Sequence, residues 1–324
     1  MRKRVALVVL SLCLLCVVGT CAQARIVIKA ATVLTDAAVH TKAIRHFAEL
    51  VEKQTNGEVE VVVYAGGQLG SERDYVEGLK LGTIEMAKTA TAPLSRFVPE
   101  LDVLNLPYLF EGEDHLFDCL NGELGDALQK VLVDQGFRLV SWFYAGSRNV
   151  YNSRRPVNTP EDLRGLKIRV MESPIMVATL NAMGASAVPM AFGELYSAIQ
   201  QGVVDGAENN PETILSQKHY EVTKYFTYTH HFYDVNAFLI SEAAFQRLPK
   251  NVQEVILEAG KMAQDHERQL WAEAMAEAQS ELEKRGMVFN EPDLTSFRES
   301  VRSIYEDEKL MGHIDKKLLE LVGR

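Results

Sequence analysis

Cysteine is scarce in this 324-residue chain. Cys13, Cys16 and Cys21 stand within the first 21 residues, and only Cys119 follows. Everything after the first two dozen residues therefore folds without an internal disulfide and relies on its core. Basic charge is also scarce: 34 Lys and Arg stand against 44 Asp and Glu, for a net charge of −10. The basic residues occur in short pairs such as Arg154-Arg155 and Lys316-Lys317. A nucleic-acid partner is excluded on that ground, because a phosphate-binding surface needs a basic patch. The common catalytic signatures are missing as well. No P-loop, Gly-x-Gly-x-x-Gly, Gly-x-Ser-x-Gly or His-Glu-x-x-His pattern is present. His230 and His231 are adjacent, a spacing that does not put two ligands on one helix face, and no metal or cofactor is expected.

One long apolar run exists, at the start. Arg2, Lys3 and Arg4 precede Val5–Val18, and Ala22-Gln23-Ala24 supplies small residues at a cleavage spacing. That order reads as a secretory signal peptide over residues 1–24. A membrane anchor is the alternative, but the run is short for spanning. A lipid-anchored Cys21 is another, although Val18-Gly19-Thr20 fits the usual small-residue pattern poorly. Loss of Arg2, Lys3 and Arg4 would take the net charge from −10 to −13. The expected location is the periplasm, and the expected state a monomer.

Beyond residue 24 the chain alternates strands and helices. Ile26–Ala30, Val59–Tyr64 and Ile84–Thr91 read as strands, with helices at His40–Gln54 and from Glu72 to Leu81 between Ser71 and Gly82. The rhythm continues to about Tyr144, restarts after Asn152, and predicts a mostly parallel α/β sheet. The second stretch has strands at Leu166–Val170, Ala187–Pro189 and Val204–Glu208, with helices at Pro174–Met183 and Gly193–Gln201. Residues 251–285 are strongly helical, with Gly260 as the one interruption. Either one helix of about 50 Å or two helices broken at Gly260 fits that pattern.

Several polar residues stand out. Arg169 sits in the strand alternation after Gly165, where it faces either water or a cleft; a guanidinium fork suits a carboxylate. Arg148 follows Gly146-Ser147, at what reads as the carboxyl end of strand Leu139–Tyr144, where α/β sheets bind ligands. Asn209 and Asn210 end another strand, as ligand groups or as a plain turn before Pro211. Lys88 lies in an apolar strand, and if buried it needs an anionic partner.

Gly146-Ser147-Arg148, Gly165-Leu166-Lys167-Ile168-Arg169-Val170 and Asp205-Gly206-Ala207-Glu208-Asn209 closely resemble the solute-binding proteins of TRAP transporters, the dicarboxylate-binding-protein (DctP) family. Gln68-Leu69-Gly70-Ser71-Glu72, Leu106-Pro107-Tyr108-Leu109-Phe110 and Pro189–Tyr196 extend the likeness over essentially the whole chain after the leader. The resemblance implies the two-domain periplasmic binding protein fold, α/β in class, with a long domain-spanning helix and no catalysis. The domains would be residues 25–145 plus 234–273 and residues 146–233 plus 274–324. It also implies an organic acid as ligand and TRAP membrane permease subunits as partners. In that reading Arg169 clamps the ligand carboxylate, Arg148 is an auxiliary arginine and Asn209 binds the same end. The Lys88–Leu94 stretch and Asp205–Pro211 look like the branch that takes hexuronates and related sugar acids. Lys88, Glu72, Asp234, Asn236, Glu208 and Asn209 are the candidates for the hydroxyl end. A small dicarboxylate or keto acid, or an exported enzyme acting on acidic sugars, are the competing readings.

Overall fold

The computed structural model describes residues 25–323. The signal-peptide reading of residues 1–24, Cys21 included, lies outside the described residues. Nine strands form a single sheet in the order β2-β1-β3-β8-β4-β7-β5-β6, with β9 added beside β8. They are β1 (Ile26–Ala31), β2 (Val59–Tyr64), β3 (Met86–Ala90), β4 (Phe137–Asn152), β5 (Lys167–Val170), β6 (Ser186–Pro189), β7 (Gly206–Asn209), β8 (Tyr225–Ser241) and β9 (Val288–Asn290).

The expected mostly parallel sheet is wrong at its centre. β1 pairs in parallel with β2 and β3, and β5 with β6 and β7. Between these wings, β3–β8, β8–β4 and β4–β7 are all antiparallel. β4 and β8 hide in the sequence for local reasons. Gly146, at φ +69, gives β4 an irregularity between Tyr144 and Ser147 that looks like a strand end. It is a bulge inside a 16-residue strand, so Arg148 lies within β4 rather than after it. β8 is buried on both faces along its C-terminal half, which erases the period-two alternation that marks a half-exposed strand.

Helices cover the sheet. The first, α1 (Val39–Gln54), turns Ala43, Ile44, Phe47 and Val51 into the core over β1 and β2. The second, α2 (Glu72–Leu81), starts at Ser71 in a reciprocal capping box with Asp74 and stops at Gly82, which is left-handed. A short helix, α3 (Pro211–Ser216), follows β7 and is capped by Asn210, whose Oδ1 accepts the Thr213 N–H at 2.8 Å.

The longest, α4 (Lys250–Lys284), is one unbroken helix of 35 residues. Gly260 does not break it. A Cβ there would lie 2.4 Å from Val140 Cγ1 and 2.7 Å from Val140 O, so glycine is what lets α4 lie against β4. The N-terminal half of α4 packs Val252, Ile256, Ala259 and Ala263 with α1 and β1. Its far end puts Leu282 among Leu195, Ile199, Ala207 and Phe226 beside β7. One helix thus joins the cores at the two ends of the sheet.

Candidate functional site

The two wings leave the long central strands at opposite ends, and a cleft lies between them. Seven of the eight residues expected there line it: Glu72, Lys88, Arg148, Arg169, Asn209, Asp234 and Asn236. The sheet register explains the convergence. Asn236 on β8 stands opposite Ala90 at the end of β3, and Asn209 on β7 stands opposite Asn149, next to Arg148 on β4. A neighbouring recess shares Glu72, Arg169, Met171 and Phe192 with the cleft.

Glu208 is the exception. It does not line the cleft, and its carboxylate stands behind Arg148. Arg148 donates from Nη2 to Glu208 Oε1 and to the Glu208 carbonyl, both at 2.7 Å, and from Nε to Glu208 Oε2. Its Nη1 donates to Asp234 Oδ2 at 3.0 Å. Side chains alternate along a strand, so neighbours Glu208 and Asn209 point to opposite faces of β7.

The charges respond to this pairing. Burial works to raise the Glu208 carboxyl, yet Arg148 and His231 overcome it and hold the group at about 2. Burial wins at Asp234, pushing its carboxyl up to about 6 against the pull of Arg148. Lys88 is 4 % exposed, and Glu72 at the start of α2 supplies its partner, with Nζ donating to Oε1 at 3.3 Å. The same Oε1 accepts the Ala90 N–H at 3.0 Å, locking α2 to the end of β3.

Arg169 differs from the other two cations. On β5 it is only 2 % exposed, so it does not face water. Its Nε donates to the Met190 carbonyl at 2.9 Å, its guanidinium lies 5.7 Å from the Phe192 ring, and its Nη1 is buried without a partner. Burial lowers its pKa, with Glu208 the largest opposing influence. Among the described residues, no carboxylate stands within ion-pairing distance of Arg169. Asn209 Oδ1 is taken by the Asn210 backbone N–H and side-chain Nδ2, both at 3.0 Å, which leaves the Asn209 amide NH₂ to donate. Asn210 Nδ2 also reaches the Ala145 carbonyl at 2.9 Å, tying the bulge of β4 to the end of β7.

Reading residues alone missed part of the wall. His40 in the first turn of α1 and Phe192 in a short turn of helix both line the cleft. His40 looked like part of a helix face. The available signal was its place three residues before Ala43 on the apolar face of that helix, where the structure leaves it 4 % exposed beside Phe143 and Trp271. Of the adjacent histidines, His231 is buried and His230 is half-buried. His230 Nδ1 meets Ser147 Oγ at 2.7 Å, and His231 Nδ1 meets Thr229 Oγ1 at 3.0 Å.

Two α/β wings, a cleft between them and a helix that runs past both make up the α/β fold of the periplasmic binding proteins. The chain belongs to the DctP family, bacterial extracellular solute-binding protein family 7, whose model matches residues 30–310. A solute-binding protein of Chromohalobacter salexigens is 34% identical over 266 residues, covering 82% of this chain and 79% of the relative. A TRAP periplasmic solute-binding protein of Sulfitobacter sp. NAS-14.1, solved with bound β-D-galacturonate, superposes with a TM-score of 0.87 at 34% identity, covering 92% of this chain and 98% of that one. Another from Chromohalobacter salexigens, with bound D-glucuronate, gives 0.87 at 32% identity over 91% and 98% of the two chains. The family and these neighbours are binding proteins rather than enzymes, which sets aside the exported-enzyme reading.

Proposed function

We propose that this protein captures a sugar acid, a hexuronate such as galacturonate or glucuronate, in the cleft and delivers it to TRAP permease subunits in the membrane. The single observation that carries the reading is the Arg169 guanidinium, buried with an unpaired Nη1 in the cleft wall. A buried cation without a counter-ion is costly, and a ligand carboxylate relieves that cost with a two-pronged hydrogen bond. Arg148 is spoken for by Glu208 and Asp234, so its part is to hold those groups and to add positive potential. Asp234 keeps Oδ1 buried and unpartnered, a place for a hydroxyl proton. Glu72, Lys88, Asn209 and Asn236 supply further polar contacts around the ligand. The uronates bound in two structural relatives support the same choice of ligand.

In this proposal two lobes close on the ligand, near residues 25–145 plus 234–273 and residues 146–233 plus 274–324. Contacts across the cleft support it. Ala38 gives α1 no side-chain cap, and Glu212 of α3 accepts the Val39 N–H at 3.1 Å instead. Gln217 Nε2 reaches Thr35 Oγ1 at 3.1 Å beside it. Export by the N-terminal signal and residence in the periplasm belong to the same reading; no helix among the described residues is long and apolar enough to cross a membrane.

Calorimetric titration with galacturonate, glucuronate, glucose and succinate tests the ligand class. The uronates should bind about 100-fold tighter or better, because glucose leaves Arg169 unpaired and succinate offers no hydroxyl to Asp234. Glucose or succinate matching both uronates would overturn the reading.

A further inference from the structure

We propose that His40 determines specificity in this cleft: its Nδ1 accepts a hydrogen bond from a ligand hydroxyl. The proposal rests on the cleft being a hydroxy-acid site and says which feature of the acid is read there.

The tautomer follows from the neighbours. His40 Nε2 lies 2.8 Å from the Tyr144 carbonyl oxygen and 3.5 Å from Glu267 Oε1, and neither group can donate to it. The ring proton therefore sits on Nε2, which donates to the Tyr144 carbonyl. Glu267 is held in place in turn, since its Oε2 accepts the Tyr144 N–H at 3.2 Å from the middle of α4. Nδ1 is left as a bare lone pair. It is buried, it has no partner, and the residue forms part of the cleft wall. A proton on Nδ1 would instead be a buried N–H with no acceptor, which folded proteins avoid.

The ring cannot swing away to solve this. Trp271 stacks on it with centroids 5.6 Å apart and an interplanar angle of 23°, and Phe143 lies 5.7 Å away on a tilted approach. Its Nε2 bond to Tyr144 holds the remaining rotation. An acceptor fixed in this way repels a carboxylate oxygen and welcomes an O–H. Together with Asp234 Oδ1, the wall offers two unpaired acceptors and, at Arg169 Nη1, one unpaired cationic donor. The complementary ligand carries one carboxylate and at least two hydroxyl donors placed away from it. A polyhydroxylated acid meets that pattern, whereas a simple diacid or a keto acid without hydroxyls does not.

The test pairs a variant with ligand analogues. His40→Gln keeps a donor able to reach the Tyr144 carbonyl and removes the Nδ1 acceptor. Galacturonate, glucuronate, their monodeoxy derivatives and the hydroxyl-free ring acid tetrahydropyran-2-carboxylate are titrated into wild type and variant. The variant should lose on the order of 10-fold in affinity for the parent uronates, the usual scale of one hydrogen bond. It should lose nothing for the hydroxyl-free acid or for the one monodeoxy uronate that lacks the contacted hydroxyl. Equal losses across all ligands would mean that His40 only shapes the wall, and would overturn the assignment while leaving the uronate reading intact. Failure of wild type to bind any uronate would overturn both. Nitrogen-15 NMR of histidine-labelled wild type tests the tautomer without depending on the variant's fold. An unprotonated Nδ1 that shifts on saturation with galacturonate supports the proposal, and a protonated or unresponsive Nδ1 refutes it.

Discussion

Replacing Arg169 by lysine keeps a cationic side chain by formal count yet should remove most ligand binding. In the structure Arg169 is anchored through Nε to the Met190 carbonyl and offers Nη1 to the cleft. Lysine has a shorter reach and no planar fork, so it cannot hold the anchor and present paired donors together. Its charge is less secure too. Burial already lowers the pKa of Arg169, and no carboxylate among the described residues pairs with it. A guanidinium tolerates that pull, while an ammonium in the same place is driven toward its neutral form. Loss of a desolvated, hydrogen-bonded charge pair costs about 2–5 kcal/mol, or roughly 30-fold to roughly 5,000-fold in Kd. Calorimetry with galacturonate and glucuronate measures this directly. The ligand-free variant should melt no lower than wild type, because it loses a buried cation that had no counter-ion. A Kd within about threefold of wild type, less than 1 kcal/mol, would refute the clamp.

Two further outcomes follow from other parts of the molecule. Asp234, raised to about 6 by burial, binds a proton more tightly folded than unfolded. Its contribution therefore makes the ligand-free protein less stable as pH climbs from about 4 to about 6, by at most about 3 kcal/mol. Denaturant titrations across that window should show Asp234→Asn with a flatter profile than wild type, and an unchanged slope would contradict the burial argument. Gly260→Ala should destabilise the protein by about 1–3 kcal/mol through overpacking against Val140, even though alanine favours a helix by about 1 kcal/mol. A higher denaturation midpoint for this variant would show that α4 does not press on β4 as closely as described.

Local order was legible in the residues themselves. β2 runs from Val59 to Tyr64 and α2 from Glu72 to Leu81, as their apolar runs and the Ser71 and Gly82 boundaries predict. The helical character of residues 251–285 was also legible, while the choice between one helix and two broken at Gly260 was not, because it rests on the close approach of Gly260 to Val140. The legible features depend on hydrogen bonds and side-chain spacing within a few residues, so a short window of sequence contains what decides them.

Pairing between distant segments was not legible. β4 and β8 form the centre of the sheet although one contains a bulge at Gly146 and the other a positive φ at His230. Only long-range register brings Asn236 beside Ala90. The same holds for the charges. Arg148 and Arg169 look alike as arginines on strands, but Arg148 meets Glu208, 60 residues away, while Arg169 meets a backbone carbonyl and keeps a donor free. Sequence alone determined which residue types the cleft could use. The tertiary structure decided which of them are neutralised by a neighbour and which remain for a ligand, because burial and partners within a few ångströms set a charged group's energy.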